Sequence, residues 1–180
     1  MTIPRLLPLL WMLLAAAAVS VRAAEEYELK AALVLNIARF TRWPPEAFAS
    51  SPDTITLCLV EEGVLFQPFE SLAGKSVGER RLVVKTAQPI DRLDQCHILF
   101  VSGYSKSLLP RIFAAVSGRP VLTIGETPGF VEFGGIVNLI RQDNRVRFEI
   151  NLEAARSAGI AISSRLLKLA ILKPVPNKTP

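Results

Sequence analysis

The chain has 180 residues, half of them apolar and 21% charged, with a formal charge of +5, two cysteines and a single histidine. That length holds one domain with a sizeable core. The basic residues are scattered, with no run longer than Arg80-Arg81, which argues against a nucleic-acid footprint, and one histidine leaves little for triad or zinc chemistry.

Residues 1–23 read as an export signal. Arg5 supplies the positive start, Leu6 to Val21 an apolar stretch interrupted by Pro8, and Val21-Arg22-Ala23 the small-residue pattern before a cleavage point. The competing reading is a retained anchor, but spanning a bilayer takes about 20 apolar residues and this stretch offers roughly 16. Neither cysteine lies near the cleavage point, where a lipid would attach. Removing residues 1–23 from 180 leaves 157, and the loss of Arg5 and Arg22 lowers the charge from +5 to +3. The expectation is a single domain over residues 24–172, working outside the cytoplasm without membrane insertion, and a flexible proline-rich tail over 173–180.

In an oxidising compartment, Cys58 and Cys96 most simply form one disulfide; the alternative is a pair of buried free thiols acting as small apolar fillers. They stand 38 positions apart.

From Glu26 to Arg42, Leu29, Leu33, Ile37 and Phe40 fall at spacings of four, four and three, which predicts one apolar helical stripe with Asn36 beside it. Trp43-Pro44-Pro45 ends that helix. Ile55 to Val60, Leu82 to Thr86, Ile98 to Ser102 and Val121 to Gly125 read as buried strands, separated by helix-length segments at Val64 to Ala73 and Ser105 to Ser117. Ile136 to Ile140 and Val146 to Ile150 flank a polar turn, the pattern of an antiparallel hairpin. Asn151 is placed to cap a helix stopped by Gly159, and Ser163 or Ser164 to cap the last one. The alternation predicts an α/β fold: a three-layer helix/sheet/helix sandwich, its mainly parallel sheet of about six strands ending in the antiparallel hairpin.

Catalytic signatures are weak, and no catalytic residue, metal site or cofactor is expected. His97 sits at a strand entrance, the position of a structural histidine, and no Gly-x-Ser-x-Gly elbow accompanies it. Glu61-Glu62 read as a solvated strand exit, and Gly103 to Ser107 as a capped turn lacking phosphate-loop spacing. Arg39, Phe40, Arg42 and Trp43 cluster where the first helix stops, an aromatic and arginine composition enriched at interfaces; the alternative for Phe40 and Trp43 is that they plug the core. Arg145, Arg147 and Glu149 alternate with Val146, Phe148 and Ile150, which puts the charged set on one face of the hairpin. Arg39, Arg42, Trp43, Arg147 and Glu149 are therefore the candidate partner-binding residues.

Over about Tyr27 to Ala170 the chain resembles the YfiR family of periplasmic proteins. The resemblance rests on Lys30-Ala31-Ala32, Asn36, Phe40, Trp43-Pro44, Cys58-Leu59-Val60 and Cys96 to Phe100. It continues through Gly129-Phe130, Gly134-Gly135, Arg147 to Leu152, Ala154-Ala155, Ala158-Gly159 and Ser163 to Leu167. It implies a non-enzymatic periplasmic repressor that binds the sensor region of an inner-membrane diguanylate cyclase, lowering cyclic di-GMP and restraining biofilm formation. It also implies a homodimer, an outer-membrane lipoprotein that sequesters the repressor, and sensitivity to thiol redox state. Cys58 and Cys96 match the family's longer-range disulfide, and the short-range second bridge has no counterpart after Cys96. The alternative from another class is a small-ligand sensor, with its site at the strand ends near Gly103 to Ser107 and Gly125 to Thr127.

Overall fold

Helix α1 occupies residues 24–39 of a computed structural model that describes residues 24–60, 67–87, 93–102, 107–143 and 145–173. Alanine, leucine, glutamate and arginine favour the helix throughout, and it stops three residues earlier than its sequence spacing predicts. The Phe40 amide bonds the carbonyls of both Asn36 and Ile37 at 3.2 Å, and Thr41–Arg42 leave the helix as a two-residue strand, β1, antiparallel to β9 (Ala161–Ile162). The Thr41 hydroxyl donates to Ile37 O at 2.8 Å, closing the last turn.

All six predicted strands are present: β2 (Thr54–Leu59), β4 (Arg80–Thr86), β5 (Ile98–Val101), β6 (Leu122–Gly125), β7 (Val137–Gln142) and β8 (Arg145–Ile150). The main sheet has eight strands, two more than the expected six, in the order β10-β8-β7-β6-β5-β2-β4-β3. The additions are the short edge strands β3 (Ser76–Val77) and β10 (Ile171–Leu172), so the β7–β8 hairpin does not end the sheet. Strands β4, β2, β5, β6 and β7 run parallel, and β8 returns antiparallel to β7. Gln142 pairs with Arg145, so the hairpin turn is tighter than the polar run suggests.

The sheet carries apolar side chains on both faces. Leu57, Leu59, Ile98, Phe100, Leu122 and Ile124 point into one cluster, covered by α1, by Phe69 of the single-turn helix α2 (Gln67–Glu70), by Ala155 of α4 (Leu152–Ser157) and by Leu166 of α5 (Ser164–Leu167). Cys58, Val60, Leu99 and Val101 point the other way, against Leu109, Ile112 and Val116 of α3 (Leu109–Val116). Ser105, where the predicted helical segment opens, lies outside the described residues, and α3 carries Pro110 in its first turn, a position where a missing N–H costs nothing.

The later caps form as expected. Asn151 Oδ1 accepts from Ala154 N at 2.9 Å and Ser163 Oγ from Leu166 N at 3.3 Å. Gly159, at φ +68°, takes the chain out of α4 in the left-handed region that glycine tolerates. The ring of Phe130, fully buried, lies between Gly125 and Gly135; a Cβ on either glycine would stand 2.4 and 2.2 Å from it. These two positions therefore need glycine for close approach, and they lock the connection from β6 to β7 beside the strand exits. Lys173, at the start of the expected tail, donates its amide to Ile150 O at 3.1 Å.

Candidate docking surface

Two polar clusters grip the ends of α1. At the strand entrances, where parallel strands begin, His97 is buried and stacks on Phe48 with ring centroids 4.8 Å apart. Its Nδ1 accepts from Thr56 N at 3.1 Å and its Nε2 lies 2.9 Å from Ala47 O. The first contact requires a lone pair on Nδ1, so Nε2 carries the proton and donates. Burial holds the imidazole below its ordinary pKa, opposed by the Ala47 carbonyl and assisted by the Arg80 and Arg119 charges. Trp43 Nε1 donates to His97 O at 3.1 Å. Both ring nitrogens of the one histidine serve the fold.

At the strand exits, beyond β5 and β6, the contacts are ionic. Glu126 Oε2 accepts from Lys30 Nζ at 2.5 Å, and Oε1 accepts from Tyr27 OH at 2.7 Å and from the Ser102 hydroxyl. Lys30 also pairs with Glu26 at 2.7 Å, one turn away on α1, and Glu26 with Arg141 of β7 at 3.1 Å. Burial lowers the Lys30 amine, but the Glu126 and Glu26 hydrogen bonds outweigh it and the net direction is upward. The Lys30 hydrogen bond holds the Glu26 carboxyl below its ordinary range, and desolvation raises the Tyr27 phenol. Sequence reasoning passed over this network, although Lys30 is among the residues that carry the family resemblance and Glu126 falls within the strand-end segment Gly125 to Thr127.

The cysteines are joined: Cys58 and Cys96 form a disulfide with their Cα atoms 5.7 Å apart. It ties the last part of β2 to the residue before His97, inside the α3 face of the core. Among the described residues, no group of three or more His, Cys, Asp or Glu side chains is placed to hold a metal ion, and no helix is long and apolar enough to cross a membrane. Residues 1–23, Glu61-Glu62 and Gly103 to Lys106 lie outside the described residues.

The structure divides the five candidate partner-binding residues. Arg39 and Arg42 are exposed and share a cleft of about 440 Å³ with Phe40, Ser163, Ser164 and Arg165. Trp43 is half-buried against Phe48, ring edge to face, and supports the turn from below. Phe40 does the opposite of plugging the core, since 40% of its surface is exposed. Arg147 is exposed on β8 opposite Ile140. Glu149 departs from the solvated face expected of it: it is buried, accepts from Asn138 Nδ2 at 3.1 Å and pairs with Lys173 at 3.1 Å. Alternation put Glu149 on the right face, but β10 and Lys173 cover that end of the hairpin. Because β8 runs back from the strand exits while Arg42 sits at the entrances, the fold does not gather Arg147 and Arg42 into one patch.

A mainly parallel eight-stranded sheet covered by helices on both faces, with His97, Lys30 and Glu126 engaged in internal contacts, makes this an α/β protein. The chain belongs to the YfiR/HmsC-like family, whose pattern it matches over residues 27–171. That membership suggests a periplasmic regulator of diguanylate cyclase, in a regulatory and non-catalytic family. The fold is also similar to a solved structure described as the ABC domain in complex with L-Trp from Streptococcus pneumonia, with 12% identity and a TM-score of 0.50. The match covers 76% of this chain and 60% of that one, so this chain spans about three fifths of that structure, and the likeness is one of fold.

Proposed function

We propose that this chain is a periplasmic repressor that binds the sensor region of an inner-membrane diguanylate cyclase and holds it inactive, keeping cyclic di-GMP low and restraining biofilm formation. The observation that carries the reading is family membership over residues 27–171, nearly the whole described chain. Docking alone suffices. A protein that prefers the inactive shape of its receptor shifts the population by its differential affinity, about 5.5 kcal/mol for a change from 1:99 to 99:1. Two separate patches are the candidates for docking, Arg42 in its cleft with Ser163 to Arg165 and Arg147 on the hairpin; both are exposed cations that an acidic partner surface complements. Trp43 acts beneath as support. An outer-membrane lipoprotein competes for the free repressor.

The test is capture of the cyclase's periplasmic region on the immobilised chain. Arg42→Glu and Arg147→Glu are each expected to weaken capture by about tenfold or more. Capture unaffected by both would remove the site assignment, and no capture by the unaltered chain would remove the function.

A second reading, a small-ligand sensor, is favoured by one observation: a groove of about 600 Å³ at the strand exits, lined by Glu126, Lys30, Arg141, Leu139 and Val146. Thermal shift against metabolite pools separates the two, since a single compound raising the melting temperature favours the sensor.

A further inference from the structure

Strand β4 has seven residues, and its outer edge is paired along only the first part of them. Alternate residues of a strand turn their backbone N–H and C=O to the same side. Arg81, Val83 and Lys85 turn theirs to β2: the Arg81 amide donates to Asp53 O at 3.0 Å, and the register runs on to Ala87, whose amide donates to Leu59 O at 2.8 Å. Arg80, Leu82, Val84 and Thr86 therefore turn theirs outward, and β3 with its approach satisfies only the first two. Val77 pairs with Arg80, and Leu82 donates to Lys75 O and accepts from Gly74 N, both at 2.8 Å, two residues against one as in a bulge. Gly74, at φ +78°, is where the chain arriving from α2 turns onto this edge. Among the described residues, the backbone groups of Val84 and Thr86 have no partner. An open row of this kind is a template for a further strand.

The side chains along the edge define what that strand must carry. On the α1 face lie half-buried Val84 and exposed Thr86. On the other face, half-buried Val83 and exposed Lys85 open into a groove of about 440 Å³ that Thr54, Thr56, His97 and Arg119 also line. A strand laid antiparallel to β4, with one residue exchanging both backbone bonds with Val84, sets its neighbours directly opposite Val83 and Lys85, at the close spacing of about 4.5 Å between Cα atoms. Both of those side chains then face the groove. Lys85 Nζ donates to Gln95 Oε1 at 3.0 Å, and an ammonium has three donors, so a carboxylate can join it. Arg81, exposed on the same face, adds a second cation. A second copy of this chain would bring Lys85 and Arg81 of both strands onto one face, like against like, which opposes symmetric pairing.

We infer that the open edge of β4 from Val84 to Thr86 takes an extended acidic segment of another protein as an added antiparallel strand, with a carboxylate opposite Lys85. This surface lies on a different strand from Arg42 and Arg147, and the inference goes beyond the cyclase reading.

The probe is a fluorescent synthetic heptapeptide in which valine alternates with glutamate, added to the purified chain. Anisotropy reads binding, and residue-resolved amide hydrogen exchange reads the added ladder. Without peptide, the Val84 and Thr86 amides are expected to exchange faster than those of Val83 and Lys85, which β2 already holds. Saturating peptide is expected to slow the first pair by about tenfold or more and leave the second pair unchanged. Lys85→Glu is expected to weaken binding by about fivefold and to favour a peptide with lysine in place of glutamate. Val84→Pro removes an outward N–H without touching the β2 ladder and should abolish binding; Lys85→Glu, at an exposed position, decides the matter if Val84→Pro does not fold. A glutamate peptide that fails to bind overturns the inference, as does binding that leaves Val84 and Thr86 unslowed or a charge preference unmoved by Lys85→Glu. Val84 and Thr86 amides already as slow as their neighbours in the unbound chain also overturn it, and assign the edge to the rest of this chain. Amides that slow only as the chain is concentrated overturn it too, and assign the edge to a second copy.

Discussion

The two ends of the sheet hold the same helix by different physics. At the strand entrances the grip on the segment just past α1 runs through uncharged donors and acceptors, with the Arg80 guanidinium resting 3.5 Å over the Phe48 ring: Trp43 bonds a backbone carbonyl, and His97 stacks on Phe48 while bonding backbone on both sides. At the strand exits the grip is ionic, with Glu126 binding Lys30, Tyr27 and Ser102 in the shelter of β5 and β6. Neutral contacts respond to packing and to the protonation of one imidazole, whereas charged contacts respond to loss of a counter-charge. The entrance end also carries the Cys58–Cys96 bridge, so its order is partly covalent.

Breaking that covalent part gives the largest expected effect. Cys58→Ser with Cys96→Ser opens a link across 38 residues, worth up to about 4 kcal/mol in the loop-entropy account, and a urea midpoint measured with and without reductant reads it. The unaltered chain in reductant should approach the double variant; a midpoint indifferent to both would mean the bridge adds no stability. At the other end, Glu126→Ala leaves Lys30 with Glu26 as its remaining carboxylate and strips Tyr27 and Ser102 of their acceptor. The expected loss is about 2 kcal/mol, because Lys30 is buried but keeps one counter-charge. A loss below that of an exposed pair, about 0.5 kcal/mol, would show that the exit network is solvated.

How far these ends were legible from sequence follows from the length of the signals. Strands β2, β4, β5, β6, β7 and β8 each hold four to seven residues of continuous or alternating apolar character, and all six were readable. Strands β1, β3, β9 and β10 have two residues each, too few for any period, and form because tertiary neighbours offer them a ladder. Spacing identified α1 as a helix but not which face it buries: of Leu29, Leu33, Ile37 and Phe40 only Ile37 is buried, beside Ala31, Val34, Leu35 and Ala38, and periodicity alone cannot rank two apolar stripes. The His97 role was legible from its place before a strand, whereas the Glu126 network joins residues 24 to 99 positions apart and leaves no local trace.

A finer cut at the entrance end is Trp43→Phe, which keeps an aromatic ring against Phe48 while removing the donor to His97 O and part of the indole's packed surface. The expected cost is about 1 kcal/mol, read as a small drop in melting temperature with cyclase capture retained. A loss of capture without a loss of stability would instead make Trp43 a contact residue rather than a support.

The gentlest probe is pH, and its sign differs between the ends. The His97 imidazole is held below 6.5 in the folded chain, so its contribution is complete above that value and declines as pH falls through it, because the unfolded chain then binds the proton more readily. Lys30, raised above 10.5, contributes at every pH below that value and loses its share only as pH rises through the folded value. Glu26, lowered below 4.5, contributes above that value and loses its share only as pH falls through the folded one. Between about pH 7.5 and 5.5, therefore, stability should slope downward through the entrance end alone. Urea midpoints across that range are expected to lose the slope in His97→Gln and keep it in Glu126→Ala. A slope that outlasts His97→Gln and disappears in Glu126→Ala would place the acid-sensitive contact at the strand exits and exchange the roles of the two ends.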